Sequence, residues 1–381
     1  MEKIHARAHG KILWLGGYSI LERPNPGYVT TVDAAVSASL VPLAGNVVRI
    51  SAPDFSLEAS GKIDPGRGDI KMRVPQELKL VYCAIKAASC YSEAIGFKVS
   101  GFGITTRSDK AFSSGSGLSK SGLGSSAAVT VATAAAVLRH FGADPYKDDA
   151  LHKISQAAHA IATGKTGSGF DIAAAIYGDI IYSRYDPSIL AALPQEFDAD
   201  EIRELVEREW DYRIERLPLP PAFSFAAANF VGGSSATKAM VGTVNEYKRT
   251  NPDEYASLIR EINSENEKAI TALRKIGSGA AEPLGEFKRA FNRGREASKR
   301  LGAASNADIE PDDITSLIEQ TVNSGAFVAK SPGAGGHDAI AALFLARDGA
   351  AAYNDTIRLW SRDKRLKVMD LKRNSCGVEV Q

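Results

Sequence analysis

Cysteine is scarce in this 381-residue chain: there are only Cys83, Cys90 and Cys376. They form no Cys-x-x-Cys pair and no zinc spacing, which removes redox-motif and zinc-module readings and favours a reduced, intracellular compartment. Cys83 and Cys90 sit seven apart in an apolar helical pattern, a spacing that fits buried packing better than reactivity. Net charge is also close to absent. Lys and Arg number 46 against 45 Asp and Glu, leaving +1. That gives no electrostatic case for nucleic acid or an acidic membrane surface as a partner. Long apolar runs are missing too. The longest, Ala127 to Leu138, is interrupted by threonines and is too short to span a bilayer. The N-terminal "MEKIHARAHGKILWLGG" has no signal-peptide apolar region. The six histidines form no His-Glu-x-x-His and no close pair, which disfavours a metal hydrolase. There is no internal repeat and no low-complexity tract. A soluble, cytoplasmic protein is expected.

What is present is ordinary globular composition, 44% apolar and 24% charged. The length predicts two domains. The first sixty or so residues are strand-rich: "KILWLGGYSILE" reads as a strand, a Gly-Gly turn and a second apolar run, and "GYVTTVDAAVSASLVPL" and "NVVRISAPDFSLEA" alternate. "ELKLVYCAIKAASCYSEAIG" has helical spacing and ends on glycine. "SSAAVTVATAAAVLRHFG" is predicted as a helix closed by Gly142. The next helix is predicted with Asp144 as N-cap, Pro145 at its first position and Gly164 past its end. The character changes around residues 185–220, where "LPLPPAF" breaks the pattern, and the domains are drawn as 1–190 and 191–381. Beyond lie two long amphipathic helices, roughly Pro252 to Ile276 and Leu284 to Leu301, and a third from the "EPDD" cap. The mix reads as α+β, with antiparallel sheets and clustered helices.

Three glycine clusters carry the chemistry: "GGYSILE" behind Lys11, "KSGLGSSAA", and "SPGAGG", Ser331 to Gly336. The second opens a helix. The first amides of a helix have no partner within it, and the aligned dipole adds partial positive charge there. Glycines let backbone approach a ligand, and serine hydroxyls can hold a phosphate oxygen or a metal-bound water. Gly122, Gly124, Ser125 and Ser126 thus make a chemically sensible anion site. A Ser-capped helix after a plain loop remains the other reading. Common nucleotide signatures fail: "ATGKTGSG" has His159 where a Walker A loop needs glycine, and "GSGLSKSG" lacks the Rossmann spacing. In "KTGSGFDIAAA", Asp171 stands in a glycine turn beside an apolar run, where a carboxylate needs a partner such as Lys11 or Lys120, unless it only caps a helix. "GGSSATKAM" puts Ser, Thr and Lys at another helix start, a second phosphate site or a capped turn.

Together these residues resemble the GHMP kinase superfamily, small-molecule kinases of galactose, homoserine, mevalonate and phosphomevalonate. "KILWLGGYSILE", "KSGLGSSAA" and "SPGAGGHDAI" are similar to its three motifs, in order and across nearly the whole chain. Within it the resemblance is to the phosphomevalonate kinases, through the lysine ahead of "SGLGSSAA", the acid loop "GKTGSGFDIAAAIYG", "PGAGGHDAI" and "GGSSATKAMV". The resemblance implies a two-domain fold, an N-terminal ribosomal-protein-S5-like domain and a C-terminal ferredoxin-like domain, with the site between them. It implies ATP-dependent phosphorylation of 5-phosphomevalonate to 5-diphosphomevalonate in isoprenoid synthesis. Mevalonate kinase or another GHMP small-molecule kinase is the alternative. It also implies roles. Lys11 and Asp171 would sit at the transferring phosphoryl group. Lys120, Ser121, Gly122, Leu123, Gly124, Ser125, Ser126 and Ala127 would bind ATP, with Ser126 facing Mg2+. Lys11, Tyr18, Ser168, Ser234, Ser235, Lys238, Ala334, Gly335 and Gly336 would bind the acceptor. One departure stands out. Mevalonate kinase has a magnesium-binding glutamate about eleven residues before its catalytic acid, where this chain has His159 and Ala160. Magnesium would then rest on Ser126, ATP oxygens and water. ATP and a small-molecule acceptor are the partners expected, in a monomer or a homodimer.

Overall fold

The computed structural model describes residues 3–112, 122–191, 193–194, 196–232, 237–278 and 283–381. Two long, β-branched and alternating segments form its spine. Strand β1 (Ile4–Leu15) pairs antiparallel with β2 (Gly27–Pro42), from Ile4 opposite Leu40 to Leu15 opposite Tyr28. The register shifts between His9 and Lys11. Such a bulge re-aims the side chain that follows it, here Lys11. The expected second apolar run after the Gly-Gly turn is a single 3-10 turn, Ser19–Leu21. Strands β3 (Val47–Ala52), β4 (Leu57–Ile63) and β5 (Ile70–Lys71) extend the sheet through β6 (Phe102–Ser108). From β1 the order is β1-β2-β6-β3-β4-β5, with β6 and β3 parallel and the other pairs antiparallel. Strands β7 (Ile180–Ser183) and β8 (Arg213–Arg216) add on beside β2.

Four helices cover this sheet: α1 (Lys79–Ala94), α2 (Ser125–Phe141), α3 (Ala150–Thr163) and α4 (Phe170–Tyr177). Helix α2 lies at the centre, against β1, β2, α1, α3 and α4. That explains its composition. A helix buried on every side has no polar face, and Ala127, Ala128, Val131, Ala132, Ala134, Ala135 and Val137 are each at most 1% exposed. Thr130 is tolerated because its hydroxyl donates to the Ser126 carbonyl at 2.8 Å. Cys83 and Cys90 are buried packing groups, and burial pushes their thiols up to about 11 and about 12. One expected boundary is wrong: α3 does not begin at Pro145. Asp144 instead accepts the Tyr146 amide at 2.9 Å, and a separate 3-10 turn, Lys147–Asp149, intervenes. Asp149 takes φ 55°, a left-handed conformation that a continuous right-handed helix cannot pass through.

After short helices α5 (Ser188–Ala191) and α6 (Ala199–Glu207), a second sheet forms from β9 (Phe223–Phe230), β10 (Val328–Lys330), β11 (Ala339–Leu345) and β12 (Leu366–Met369). Its order is β10-β11-β9-β12, antiparallel throughout. Alternation is strict. Phe225, Ala227, Ala341 and Leu343 join the main core, while Ala226, Ala228, Ile340, Ala342 and Phe344 face a separate one. Both faces are covered, so the sequence there is apolar without a break. Helix α7 (Thr237–Thr250) packs with the pair α8 (Pro252–Gly277) and α9 (Leu284–Ser305). Residues of α10 (Asp312–Asn323) and α11 (Gly349–Arg362) line the second core. The chain then returns to the first sheet, where β13 (Arg373–Asn374) pairs with β2 and β14 (Glu379–Val380) with β1. Among the described residues no helix is long and apolar enough to cross a membrane.

Candidate active site

Lys11 is the hub. It lies just past the β1 bulge and is only 8% exposed. Its backbone N–H donates to the Leu123 carbonyl at 2.9 Å, and its Nζ donates to the Gly122 carbonyl at 2.8 Å. The loop before α2 is thus strapped to β1 twice. The ammonium also sits 5.4 Å from the centre of the Phe170 ring, a cation–π contact. Burial pushes the Lys11 pKa down, and the carboxylates of Asp171 and Asp338 oppose that shift. A lysine, an acid from the first turn of α4 and an acid from the loop before β11 therefore act on one another, although they are far apart in sequence.

Gly124 makes the approach of α2 to Lys11 feasible. It is the N-cap, with φ 81°, and a Cβ there would lie 3.1 Å from Lys11 Cε and 3.8 Å from Asp171 Cβ. The Ala127 and Ala128 amides turn back to the Gly124 carbonyl at 3.1 Å each. The amides of Ser125 and Ser126 precede any carbonyl the helix could offer them. The dipole of a 17-residue helix adds to their positive end. Ser126 Oγ lies 3.3 Å from His159 Nε2, so the residue standing in place of the expected carboxylate pairs with the hydroxyl expected to face Mg2+. Among the described residues no group of three or more His, Cys, Asp or Glu is arranged to hold a metal ion.

The third glycine cluster is tied down from two sides. Gly335 takes φ 91°, and a Cβ there would come within 2.2 Å of the Ile309 carbonyl oxygen. Gly336 N–H donates to that same carbonyl at 2.9 Å. Ser331 Oγ bonds the carbonyls of Gly336 and Ala339 at 2.8 and 2.9 Å. Across the molecule, Tyr18 donates its hydroxyl to the Ala334 carbonyl at 3.2 Å. Burial raises the Tyr18 pKa to about 12, so at neutral pH it is a donor. The turn carrying Ser168 is held from behind: Gln156 Nε2 donates to the Gly169 carbonyl at 2.9 Å and Arg184 Nη2 to the Gly167 carbonyl at 3.0 Å. Ser168 itself is half-buried. Lys120, Ser121, Ser234, Ser235 and the side chain of Lys238 lie outside the described residues.

The structure thus joins Lys11 with Gly122, Leu123, Gly124 and Asp171, and separately joins Tyr18 with Ala334. Asp338 and His159 also belong to the constellation, though neither was among the predicted site residues. The signal for Asp338 was its position just behind a glycine loop; that for His159 was a titratable side chain where the resemblance to mevalonate kinase led to the expectation of an acid. Arranged this way, the site offers a helix N-terminus for an anion, a buried ammonium beside it, and carboxylates that keep the ammonium in place.

Comparisons with known proteins agree with this chemistry. Residues 79–179 match the family model described as GHMP kinases N terminal domain. Phosphomevalonate kinase from Candida albicans is 29% identical, with 89% of this chain and 88% of the relative covered. The peroxisomal phosphomevalonate kinase of Arabidopsis thaliana is 27% identical, with 90% of each covered. In fold, the chain is similar to Streptococcus pneumoniae phosphomevalonate kinase in complex with phosphomevalonate and AMPPNP. The TM-score is 0.74 at 19% identity, covering 98% of this chain and 100% of the other.

Proposed function

This chain belongs to the GHMP kinase superfamily, and from that premise we propose that it transfers the γ-phosphoryl group of ATP to 5-phosphomevalonate, giving 5-diphosphomevalonate. The observation that carries the reading is the buried Lys11 ammonium, strapped to the α2 start through Gly122 and flanked by Asp171 and Asp338. That is an arrangement for managing negative charge.

The acceptor sets the catalytic task. A phosphate monoester has its second pKa near 6, so it is mostly dianionic at neutral pH. It needs no general base to become a nucleophile. The obstacle is bringing two polyanions into line, and catalysis is chiefly positioning and charge neutralisation. The α2 start, from Gly122 to Ala127, receives the ATP phosphates on its amides and dipole. Lys120 adds a point charge there. Lys11 gives up its bond to the Gly122 carbonyl and donates to the oxygens of the transferring group. Asp171 and Asp338 keep Lys11 charged despite its burial and hold it in place. Tyr18 and the Ala334–Gly336 loop close over the acceptor, with Ser168, Ser234, Ser235 and Lys238.

Magnesium fits this donor set. Ser126 would hold it through a hydroxyl oxygen at the phosphate end of α2, a donor set that suits Mg2+ because this ion keeps much of its water and needs few protein ligands. When bound it neutralises phosphate charge. We assign residues 1–190 to the nucleotide-binding domain and 191–381 to the second, with β8, β13 and β14 lent back to the first sheet. The unpaired, buried Cys83 and Cys90 support a reducing compartment, the cytoplasm.

Acceptor profiling tests the proposal. In a coupled ADP-release assay, 5-phosphomevalonate is turned over, while mevalonate and galactose are not. Turnover of mevalonate but not of its phosphate would identify a mevalonate kinase instead.

A further inference from the structure

Asp179 is a buried carboxylate with no part in the chemistry described so far. It is 4% exposed and follows α4 by two residues, behind Gly178. The β2–β7 ladder stops at Val29 opposite Ile180, one residue short of it. Beyond that point the Asp179 side chain takes the place of the ladder. Its Oδ1 accepts the Thr31 N–H at 2.7 Å, and Thr31 Oγ1 stands 3.2 Å from the same oxygen. Its Oδ2 accepts the Leu219 N–H at 2.8 Å, and its backbone carbonyl accepts the Leu217 N–H at 3.1 Å. Burial pushes the Asp179 carboxyl up, while these bonds and the nearby Arg373 charge oppose the shift. Taking a carboxylate out of water is costly unless its oxygens are bonded, and here both are.

Two routes lead from this carboxylate to Lys11. The first is across the sheet: Thr31 lies opposite Lys11 in the β1–β2 ladder. The second is along α4, whose eight residues span about 12 Å at roughly 1.5 Å each. The first turn of α4 carries Asp171, whose charge acts on Lys11, and Phe170, whose ring centre is 5.4 Å from the Lys11 ammonium. The other end of α4 is closely seated. Gly178 N–H donates to the Ala174 carbonyl at 2.9 Å, and Val378 N–H to the Ile176 carbonyl at 3.2 Å. A Cβ on Gly178 would come within 2.1 Å of the Ser375 carbonyl oxygen. Helix α4 is thus a short rod with two neighbours of Lys11 at one end and Asp179 at the other. The Asp179 carboxylate fixes that rod to the strand residue opposite Lys11.

We propose that Asp179 is a positioning residue for phosphoryl transfer, setting Lys11 against Asp171 by tying α4 to Thr31, an inference that rests on the role given to Lys11 above. Buried and bonded to backbone through both oxygens, it acts through Lys11 and not on a substrate. Without the tie the pair shifts, and a displacement of about 1 Å can cost roughly a hundredfold in rate. The ATP phosphates are received at the α2 start, which this tie does not hold, so the loss falls on turnover and not on binding.

The test is a double-mutant cycle on turnover: the wild type, Asp179→Asn, Lys11→Ala and the two combined, in the coupled ADP-release assay with ATP and 5-phosphomevalonate. Asparagine keeps the size, but its one oxygen cannot accept from Thr31 and Leu219 on both sides. Asp179→Asn is expected to lower kcat about ten- to a hundredfold, with KM for ATP and for the acceptor within about twofold of the wild type. Added to Lys11→Ala it lowers kcat by less than about twofold, because the group it positions is gone. Thr31→Val, which removes only the hydroxyl, runs through the same cycle where Asp179→Asn does not fold; it is expected to cost about threefold, the size of one neutral hydrogen bond, and nothing on top of Lys11→Ala. An unchanged kcat, or the same fold loss with and without Lys11, overturns the proposal and leaves the kinase reading intact. Turnover of another acceptor but not of 5-phosphomevalonate overturns the phosphomevalonate reading, and the same cycle run with that acceptor decides on Asp179.

Discussion

Replacing Lys11 with alanine should cost far more in turnover than replacing Asp171 with asparagine. The reasoning starts from burial. Lys11 is 8% exposed, and its Nζ holds the Gly122 carbonyl at 2.8 Å beside the α2 start. It is a buried donor already held in place. Removing one such donor costs about 2.7–4 kcal/mol of transition-state stabilisation, roughly a hundred- to a thousandfold in kcat. Asp171→Asn keeps the size and removes one of the two carboxylates that favour a charged Lys11, while Asp338 remains. With an acceptor already dianionic, no proton transfer is lost, so a fall of about tenfold or less is expected, below the roughly hundredfold or more that a general base supplies. The assay is coupled ADP release under saturating ATP and 5-phosphomevalonate, with single-turnover rates to separate chemistry from product release. A loss for Asp171→Asn well beyond that for Lys11→Ala refutes the reasoning and makes Asp171 a base.

Gly124→Ala should destabilise the fold by about 1–2 kcal/mol, the cost of a left-handed non-glycine residue, and raise KM for ATP, because the new Cβ meets Lys11 Cε at 3.1 Å. Urea unfolding and an ATP titration check the two effects. Ser126→Ala should raise the Mg2+ concentration needed for half-maximal ATP binding several-fold, measured by nucleotide titration, without shifting the urea midpoint. His152 gives a pH dependence. It is fully buried among Tyr177, Trp210 and Tyr212, and burial lowers its pKa from 6.5 to about 3. Between those values the unfolded chain binds a proton that the folded one refuses. The contribution is therefore fully present above pH 6.5 and lost as the pH falls toward 3, by up to about 1.4 kcal/mol per pH unit. Urea midpoints from pH 7 to 4 should fall less steeply for His152→Phe than for the wild type; parallel curves would contradict this.

The features legible in the sequence are those whose cause is local. Gly142 and Gly164 end α2 and α3 because each takes a left-handed conformation there. The alanine-rich helix behind "SGLGSS" could be read from its composition. That Asp171 needs a cationic partner, with Lys11 and Lys120 as the candidates, could be read from a carboxylate set beside an apolar run. Features that depend on distant chain were not legible. Asp338 acts on Lys11 only because β11 brings its loop over Gly122, where a glycine Cβ would lie 4.0 Å from Asp338 Cβ. The contact of His159 with Ser126 needs α3 to lie alongside α2. Asp179 reads as one more turn acid until the Thr31 and Leu219 amides are seen on its two oxygens. Strands β13 and β14 have two residues each, too few for any period to show. At Asp144 a local signal misled: Asp-Pro is a good helix start, but here it opens a turn, and Asp149 begins the helix.

The central claim is that the nucleophile is a phosphate oxygen. Phosphorus NMR of the wild-type reaction with ATP, Mg2+ and 5-phosphomevalonate tests it directly. The account predicts that the acceptor's phosphomonoester signal is replaced by the coupled pair of doublets of a diphosphate ester as ADP accumulates. ADP formation with a second monoester signal instead, from phosphorylation at a hydroxyl, would contradict it.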